Sequence, residues 1–262
     1  MDIILIYIII GAIAGVIAGM LGVGGGLVIV PVLTIIFVQN GFDNNIIVHL
    51  AIGTSLATIV FTSLSSTRAH HAHGAIQWPV VKQLLPGIIV GAISGALLAN
   101  YFATDILKTI FVIFELSVAI QMAFQLSPSA HQRLPSASRL LGVGTVIGGI
   151  SSVIGIGGGT LTVPFLLWCR VSMRYAIATS SACGIPIAIA GSLGFLFVGL
   201  NNTNLPEYAT GYIYWPAFFG IVIASMATAP FGAKLAHNLP VKVLRKIFSL
   251  FLLFLAIKMF LQ

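Results

Sequence analysis

Long apolar stretches separated by short polar breaks make up most of this chain. The breaks fall at residues 39–45, 67–77, 100–105, 126–139, 168–174, 199–211 and 236–242. They leave eight apolar blocks, four on each side of the longest break. A helix needs roughly 20 apolar residues to cross the hydrocarbon core of a bilayer, and every block supplies about that length. The pattern predicts an all-α polytopic membrane protein with a multi-pass topology.

Scarce charge narrows the range of functions. The 262 residues include 12 Lys and Arg and 5 Asp and Glu, so 6% are charged, against about 25% in a soluble domain. So few charges cannot cover a water-facing surface, which argues against a water-soluble enzyme. The same shortage argues against a nucleic-acid partner, despite the net charge of +7. Cys169 and Cys183 lie in apolar sequence, where burial without a disulfide is expected.

The two halves of the chain resemble each other in sequence. LGVGGGLVIVPVL matches IGIGGGTLTVPFL, AIGTS matches AIATS, and GAIQWP matches GYIYWP. The matched segments start at residues 21 and 154, 51 and 176, and 74 and 211, and a fourth pair starts at 107 and 244. Four matches in one order favour a duplicated chain over similarity by composition alone. The predicted parts are a first transmembrane repeat at residues 1–125, a cytoplasmic linker at 126–139 and a second transmembrane repeat at 140–262.

Basic residues mark cytoplasmic loops, so their placement predicts the orientation of the chain. The breaks assigned to the cytoplasm are 67–77, 126–139, 168–174 and 236–242. With this assignment, 10 of the 12 basic residues lie at the cytoplasmic side, and Lys108 and Lys258 are the exceptions. The assignment depends on Arg170 and Arg174 facing the cytoplasm. It also predicts a location in the cytoplasmic membrane.

The same assignment predicts a broken helix in each half. Residues 140–167 begin and end on the cytoplasmic side, so they form a hairpin broken at Gly155–Gly159. By the repeat, residues 3–38 do the same from the other side, broken at Gly22–Gly26. Each half is then a broken-helix hairpin plus three transmembrane helices. The odd number of net crossings makes the two repeats inverted in topology, which is typical of secondary transporters.

The glycine breaks predict an anion-binding site. Consecutive glycines stop one helix and begin another, because glycine accepts backbone angles that other residues avoid. The N-terminus of each new half-helix offers free N–H groups and about +0.5 of a charge, so two converging ends suit a small anion. A kink for tight packing is the alternative. The glycines predicted to bind substrate are Gly24, Gly25, Gly26, Gly157, Gly158 and Gly159.

Two repeated Thr-Ser pairs are predicted to add hydroxyl donors to that site. They are Thr54 and Ser55 in the first half, and Thr179 and Ser180 in the second. Their hydroxyls can donate to the oxygens of an oxyanion beside the half-helix N–H groups. The alternative is that they bond to carbonyls of their own helix or a neighbouring helix.

Two ionisable residues are candidates for coupling transport to protons. His49 precedes the first Thr-Ser pair at the outer edge of its span, and Glu115 is the only acid inside a predicted span. An acid within the membrane is costly and is a functional candidate by default. An interfacial histidine and a structural glutamate without any role are the alternatives.

Other polar and small-residue patterns give weaker indications of function. The run Arg68–His73 is interpreted as a solvated cytoplasmic loop, and neither a metal site nor a cofactor is expected. Glycines at four-residue spacing permit close helix packing, either inside the bundle or in a homodimer. The strings are Gly11, Gly15 and Gly19, and Gly87, Gly91 and Gly95.

At these residues the sequence resembles the sulfite exporter TauE/SafE family of membrane transporters. The resemblance rests on two copies of G-x-GGG-x-x-x-V-P, Gly22 to Pro31 and Gly155 to Pro164, and on the Thr-Ser pairs. The basic loop that runs into Gly74-x-x-x-Trp78 adds to it. The family implies a secondary carrier of small sulfur-containing or organic anions such as sulfite, thiosulfate, sulfoacetate or related sulfonates.

Transport by alternating access is therefore the leading functional prediction, with a small anion and the lipid bilayer as partners. An anion channel with the same pore-lining motifs is the alternative. An intramembrane protease is disfavoured, because Asp2, Asp43 and Asp105 all lie outside the predicted spans and no histidine falls in the middle of one.

Overall fold

The fold, taken from a computed structural model, is almost entirely helical. The structure describes residues 3–124, 134–238 and 241–261. Ten helices lie in those ranges: α1 (Ile3–Leu21), α2 (Gly26–Gln39), α3 (Ile47–Ala72), α4 (Trp78–Ala99), α5 (Thr104–Ala123), α6 (Ala137–Ile154), α7 (Gly159–Trp168), α8 (Met173–Gly199), α9 (Trp215–Asn238) and α10 (Val241–Phe260). Seven of them are long and apolar enough to cross a membrane, namely α1, α3, α4, α5, α6, α8 and α9. The chain is an all-α polytopic membrane protein, as predicted.

A small β-hairpin lies in the predicted 199–211 loop and the residues after it. Its strands are β1 (Ala209–Thr210) and β2 (Ile213–Tyr214), and they pair in antiparallel fashion. Gly211 lies between them with a φ of +54°. The hairpin leads directly into α9, so it determines how the chain enters that helix.

Both predicted helix breaks are present. The chain leaves α1 at Leu21 and starts α2 at Gly26, and it leaves α6 at Ile154 and starts α7 at Gly159. Gly25 and Gly158, the residues before the new helices, have φ values of +87° and +74°. Only glycine adopts such angles without strain, which explains why the sequence breaks here. With 14 and 10 residues, α2 and α7 are too short to span a bilayer alone.

Helix packing follows the sequence duplication. The repeat makes α1 equivalent to α6, α3 to α8, α4 to α9 and α5 to α10. In the structure α1 packs against α9 as α6 packs against α4, and α3 packs against α9 as α8 packs against α4. The pairs α3–α8 and α5–α10 join equivalent helices of the two halves. Each half therefore completes the other, while the opposite orientation of the halves in a bilayer stays a prediction.

The four-residue glycine strings are used inside the bundle. A Cβ atom on Gly95 would lie 2.5 Å from the carbonyl oxygen of Gly149 in α6, and Cβ atoms on Gly87 and Gly91 would collide with carbonyls of the same helix. A Cβ atom on Gly11 would lie 2.5 Å from Ile221 O in α9. These contacts settle the role of both strings as packing within one chain, at α4–α6 and α1–α9.

The interpretation of residues 68–73 as a solvated loop is wrong for part of the run. Helix α3 continues to Ala72, and His70 is buried with 1% of its surface exposed. Its Nε2 lies 3.0 Å from the carbonyl oxygen of Gly19. The run contains no helix-breaking residue before Gly74, so α3 continues through this polar sequence beyond its expected end. Cys169 and Cys183 are buried and free, as predicted.

Candidate functional site

The two glycine breaks meet in the buried centre of the molecule. A Cβ atom on Gly24 would lie 3.0 Å from the Cα of Gly157, and one on Gly157 would lie 3.1 Å from the Cα of Gly24. A Cβ atom on Gly26 would collide with the carbonyl of Gly155, and one on Gly159 with the carbonyl of Gly22. The predicted glycines are therefore brought together, with backbone against backbone.

Gly25 and Gly158 face away from this contact. A Cβ atom on Gly25 would lie 3.1 Å from Ala14 in α1. A Cβ atom on Gly158 would point toward Ile187 in α8 and Ser151 in α6. Both glycines precede the first residue of a half-helix and accept its first hydrogen bonds, for example from Ile29 N at 3.1 Å to Gly25 O. They shape the helix ends rather than the seam between the halves.

The electrostatics of the site come from the backbone. The helices α2 and α7 both begin at the break contact, so two positive helix ends adjoin there. Among the residues whose side-chain burial the structure describes, which leaves out Lys242 and Arg245, no lysine or arginine is buried. An anion at this depth would therefore be held by N–H groups and hydroxyls without a basic side chain.

The serines of the two Thr-Ser pairs bind the opposite break. Ser55 Oγ donates to Gly155 O at 2.9 Å, and Ser180 Oγ lies 3.1 Å from Gly22 O and 2.9 Å from Ile177 O. Ser55 belongs to the first half and Gly155 to the second, while the Ser180–Gly22 contact runs the other way. Gly155 O thus receives its donor from the other half, while Gly22 O shares the single Ser180 hydrogen with Ile177 O.

The threonines of the pairs hold the loops that precede α4 and α9. Thr54 Oγ1 accepts a hydrogen bond from Tyr214 N at 2.9 Å, and Thr179 Oγ1 accepts one from Gln77 N at 3.1 Å. All four residues of the pairs are buried. The structure places the Thr-Ser pairs at the breaks, and their hydroxyls serve backbone groups in this conformation. Ligand contact by these hydroxyls stays a prediction.

A group of four hydroxyl residues at the second break was missed in the sequence. Ser151 and Ser152 end α6, while Thr160 and Thr162 begin α7, and at most 7% of any of these residues is exposed. None of the four hydroxyl oxygens has a hydrogen-bond partner among the described residues. Leaving a buried hydroxyl unpaired costs about 1–3 kcal/mol, so these four residues require an explanation.

Comparing the repeats position by position would have found the hydroxyl group. The offset of 133 that aligns the breaks pairs the two serines with Ala18 and Gly19, and the two threonines with Leu27 and Ile29. The first break is apolar at every one of these positions. The duplicated motif drew attention to what the halves share, whereas this polar difference distinguishes them.

The two coupling candidates, His49 and Glu115, form no hydrogen bond with the helix breaks in the part of the chain that the structure describes. His49 Nε2 lies 3.2 Å from Ala99 O, and its ring centroid lies 5.2 Å from that of Tyr212, with the two rings tilted by 33°. Glu115 is fully buried on α5, and neither carboxyl oxygen has a partner in the described parts of the chain. The position of His49 at the start of α3 agrees with its predicted place at the edge of a span.

One end of the bundle is closed by aromatic rings. The rings of Phe37, Phe42 and Tyr214 lie 5.1–5.4 Å apart, and beside them Asn204 Nδ2 donates to Asp43 Oδ2 at 2.7 Å. Burial raises the pKa of the Tyr214 hydroxyl, with nearby Tyr208 and Glu207 adding to the shift, so Tyr214 stays neutral. This aromatic closure joins the two halves next to Thr54.

Comparisons with known proteins agree with a transporter. The family model for "Sulfite exporter TauE/SafE" matches residues 7–259. A probable membrane transporter protein of Haemophilus influenzae is 38% identical over 261 residues, which cover 99% of this chain and 98% of that protein. A probable membrane transporter protein of Methanocaldococcus jannaschii is 30% identical over 251 residues, 93% of this chain and 90% of that one. No solved structure matches the chain.

Proposed function

The chain belongs to the sulfite exporter TauE/SafE family, and from this premise we propose that it is a secondary transporter working by alternating access. Its cargo is a small sulfur-containing or organic anion, namely sulfite, thiosulfate, sulfoacetate or a related sulfonate. The anion crosses the cytoplasmic membrane through a site near the midplane. The ligands there are the N-termini of α2 and α7 together with Thr and Ser hydroxyls.

The observation that carries this proposal is the contact between the two helix breaks. Each half-helix N-terminus presents about +0.5 of a charge. The opposing carbonyl ends of α1 and α6, at Gly22 and Gly155, lie within hydrogen-bonding distance of the Ser180 and Ser55 hydroxyls, which offset their negative charge. An anion entering there would meet this backbone charge already in place. Without an ion pair to a lysine or arginine, it could leave again readily. Broken helices of this kind line the substrate sites of secondary transporters.

The close contact of the breaks favours a carrier over a channel. Gly24 and Gly157 are in van der Waals contact, which leaves no room for an anion between them in this conformation. The halves must therefore separate before an anion enters, and they come together again when it leaves. A motion of one repeat against the other supplies that cycle.

Flux in proteoliposomes tests the proposal. Purified protein reconstituted into liposomes should take up radiolabelled sulfite, thiosulfate or sulfoacetate with saturation. Gly25→Leu and Gly158→Leu should abolish uptake, because each places a bulky side chain against the start of a half-helix. Gly142→Leu is the matched control, since a Cβ atom there meets nothing within 4 Å.

Size-exclusion profiles and thermal unfolding in detergent establish that each variant is folded. Uptake that rises linearly with concentration would point to the channel instead. Absence of flux for every sulfur oxyanion and sulfonate would contradict the proposal, as would full activity in a folded Gly158→Leu variant.

A further inference from the structure

We propose that the groove between α6 and α7 binds one anionic phospholipid of the cytoplasmic leaflet. Arg139 holds the lipid phosphate at the rim of the groove, and one acyl chain lies along the apolar walls below it. The site is on the outer surface of the bundle and does not depend on which solute the protein carries.

The first step is the shape of the groove, which has a volume of about 470 Å³. Leu161 and Phe165 of α7 form one wall. The other wall comes from α6, whose lining residues share one helix face because they are spaced three or four apart: Arg139, Gly142, Val146 and Ile150. A Cβ atom on Gly142 would meet nothing within 4 Å, so the glycine leaves the groove open.

The depth of the groove matches one leaflet of a bilayer. Ile150 follows Arg139 by 11 residues, so the groove runs about 16 Å along α6 at a rise of about 1.5 Å per residue. Half of the hydrocarbon core of a bilayer is about 15 Å thick. Val146 and Ile150 are 59% and 39% exposed, so apolar side chains face outward over this depth. An acyl chain whose headgroup is level with Arg139 therefore fits the groove along its length.

The second step is the charge at the rim. Arg139 is exposed and lies in the first turn of α6, on the predicted cytoplasmic side. Helices α4 and α6 run side by side in the same direction, because Gly87 and Gly95 of α4 face successively later residues of α6. Arg139 therefore lies near the first turn of α4.

The four acids that the structure describes lie elsewhere. Ala99, the last residue of α4, contacts His49 at the start of α3, so the loop before α3 lies at the end of α4 that is far from Arg139. Three of the acids lie at that far end and the fourth is buried within α5; they are Asp43, Asp105, Glu207 and Glu115. Arg139 thus has no described carboxylate to neutralise it, and an anionic lipid headgroup supplies that charge.

The third step is the difference between the halves. The offset of 133 that aligns the breaks matches Arg139 with Ile6 and Gly142 with Ile9. In the first half, an isoleucine side chain therefore stands where the second half leaves the groove open, and the rim carries no charge. The sequence builds this site once, beside the half-helix α7, so it is not a general property of the apolar surface.

Lipid titration followed by native mass spectrometry tests the site. Purified full-length protein, stripped of lipid in detergent, is titrated with dioleoylphosphatidylglycerol or dioleoylphosphatidylcholine, and the Kd of the first bound lipid is measured. The wild-type protein should bind phosphatidylglycerol about fivefold more tightly, which is the contribution of one basic residue to anionic lipid binding. Arg139→Gln should remove this preference. Gly142→Ile should weaken phosphatidylglycerol binding at least about fourfold, because the new side chain displaces methylene groups of the acyl chain.

Two variants outside the groove are matched controls. Arg68→Gln removes the same charge at an exposed position of α3, and Ala227→Ile introduces the same side chain at an exposed position of α9. Both should keep the wild-type preference. Equal affinity of the wild-type protein for the two lipids would overturn the proposal. Full preference in a folded Arg139→Gln variant, or unchanged binding by a folded Gly142→Ile variant, would do the same.

Two further readouts distinguish the lipid from other occupants. Glycerol 3-phosphate carries the headgroup charge without an acyl chain, so an excess of it should leave phosphatidylglycerol bound. Displacement would assign Arg139 to a free phosphate and overturn the proposal. The same spectra report the oligomeric state, and a dimer that dissociates in Gly142→Ile would assign the groove to a second copy of the chain, with the same consequence.

Discussion

Single hydrogen bonds between the halves hold the break region together. Ser55 and Ser180 each satisfy a carbonyl that the opposite helix break leaves free. In lipid, no water is available to bond an unsatisfied backbone group, so these two serine side chains contribute strongly to the stability of the breaks. Their neighbours Thr54 and Thr179 extend the same exchange to the loops before α9 and α4.

Removing either serine should destabilise the folded protein. Ser55→Ala leaves Gly155 O buried without its donor, and Ser180→Ala does the same to Gly22 O. We expect each variant to lose about 1–3 kcal/mol of stability, visible as a lower midpoint of thermal unfolding in detergent. Ser94→Ala is the matched control, because Ser94 Oγ bonds within its own helix to Gly91 O. Equal midpoints for all three variants would contradict this assignment.

A separate prediction concerns proton coupling by the side chain of Glu115. The carboxyl group is fully buried without a described partner, so we expect it to carry the proton that couples transport. Glu115→Gln keeps the shape and removes the titratable proton. It should abolish uptake driven by a pH gradient while preserving exchange of anion for anion across equal pH.

The control for that experiment is Glu207→Gln, an exposed position in the loop before β1. If Glu115→Gln leaves gradient-driven uptake intact, the glutamate is structural and the coupling group lies elsewhere.

Whole helices approach each other closely because glycines line their contacts. The α4–α6 pair interlocks from both sides, since Gly144 and Gly148 of α6 face α4 just as Gly87 and Gly91 of α4 face α6. The α1–α9 pair does the same through Gly11 and other small residues. Association inside a bilayer depends on such packing, because lipid removes the hydrophobic drive between helices.

A larger side chain in this contact should be disruptive. A Cβ atom on Gly91 would collide with the backbone carbonyl of Thr145, which cannot move aside as a side chain would. Gly91→Val should therefore cost at least about 1–3 kcal/mol and lower the yield of monodisperse protein. Gly142→Val, on the open side of α6, should behave like wild type in size-exclusion and thermal unfolding assays. Similar behaviour of the two variants would argue that α4 and α6 are more loosely packed.

At the scale of the whole molecule, the two ends of the bundle are unlike. The aromatic closure joins the halves at one end, and the Asp43–Asn204 hydrogen bond fastens it. The offsets of the repeat match Phe37 with Arg170 and Tyr214 with Gln77, neither of which is aromatic. In the proposed alternating-access cycle, opening this end would require the rings to part, so we expect a cross-link here to stop transport.

Locking the aromatic closure should stop transport. The pair Asp43→Cys and Asn204→Cys, joined by a short disulfide-forming bis-thiosulfonate linker, should lose flux in proteoliposomes. Reduction with dithiothreitol should restore it. Each single-cysteine variant treated in the same way is the control, and the native Cys169 and Cys183 are buried away from the reagent. Unchanged flux in the fully cross-linked protein would mean that this end does not open.

The sequence predicted the elements that repetition and backbone chemistry determine. Two copies of a triple glycine located both breaks, and the regular apolar blocks located the helices around them. It could not separate ligand contact from structural contact at Ser55, because the partner carbonyl lies 100 residues away. His70 was misplaced for a local reason, since a polar run without a breaker looks like a loop. The unpartnered hydroxyl of Thr160 was overlooked because it appears only as a difference from Leu27 at the matching position.

The crossed serine bonds also determine when the protein can finish maturing. Gly22 O receives its donor from Ser180, which the ribosome adds 158 residues later. At 5–20 residues per second, that interval is roughly 8–30 s, during which the first break sits in the membrane without its partner. A first half made without the second would keep Gly22 O without the donor that Ser180 supplies.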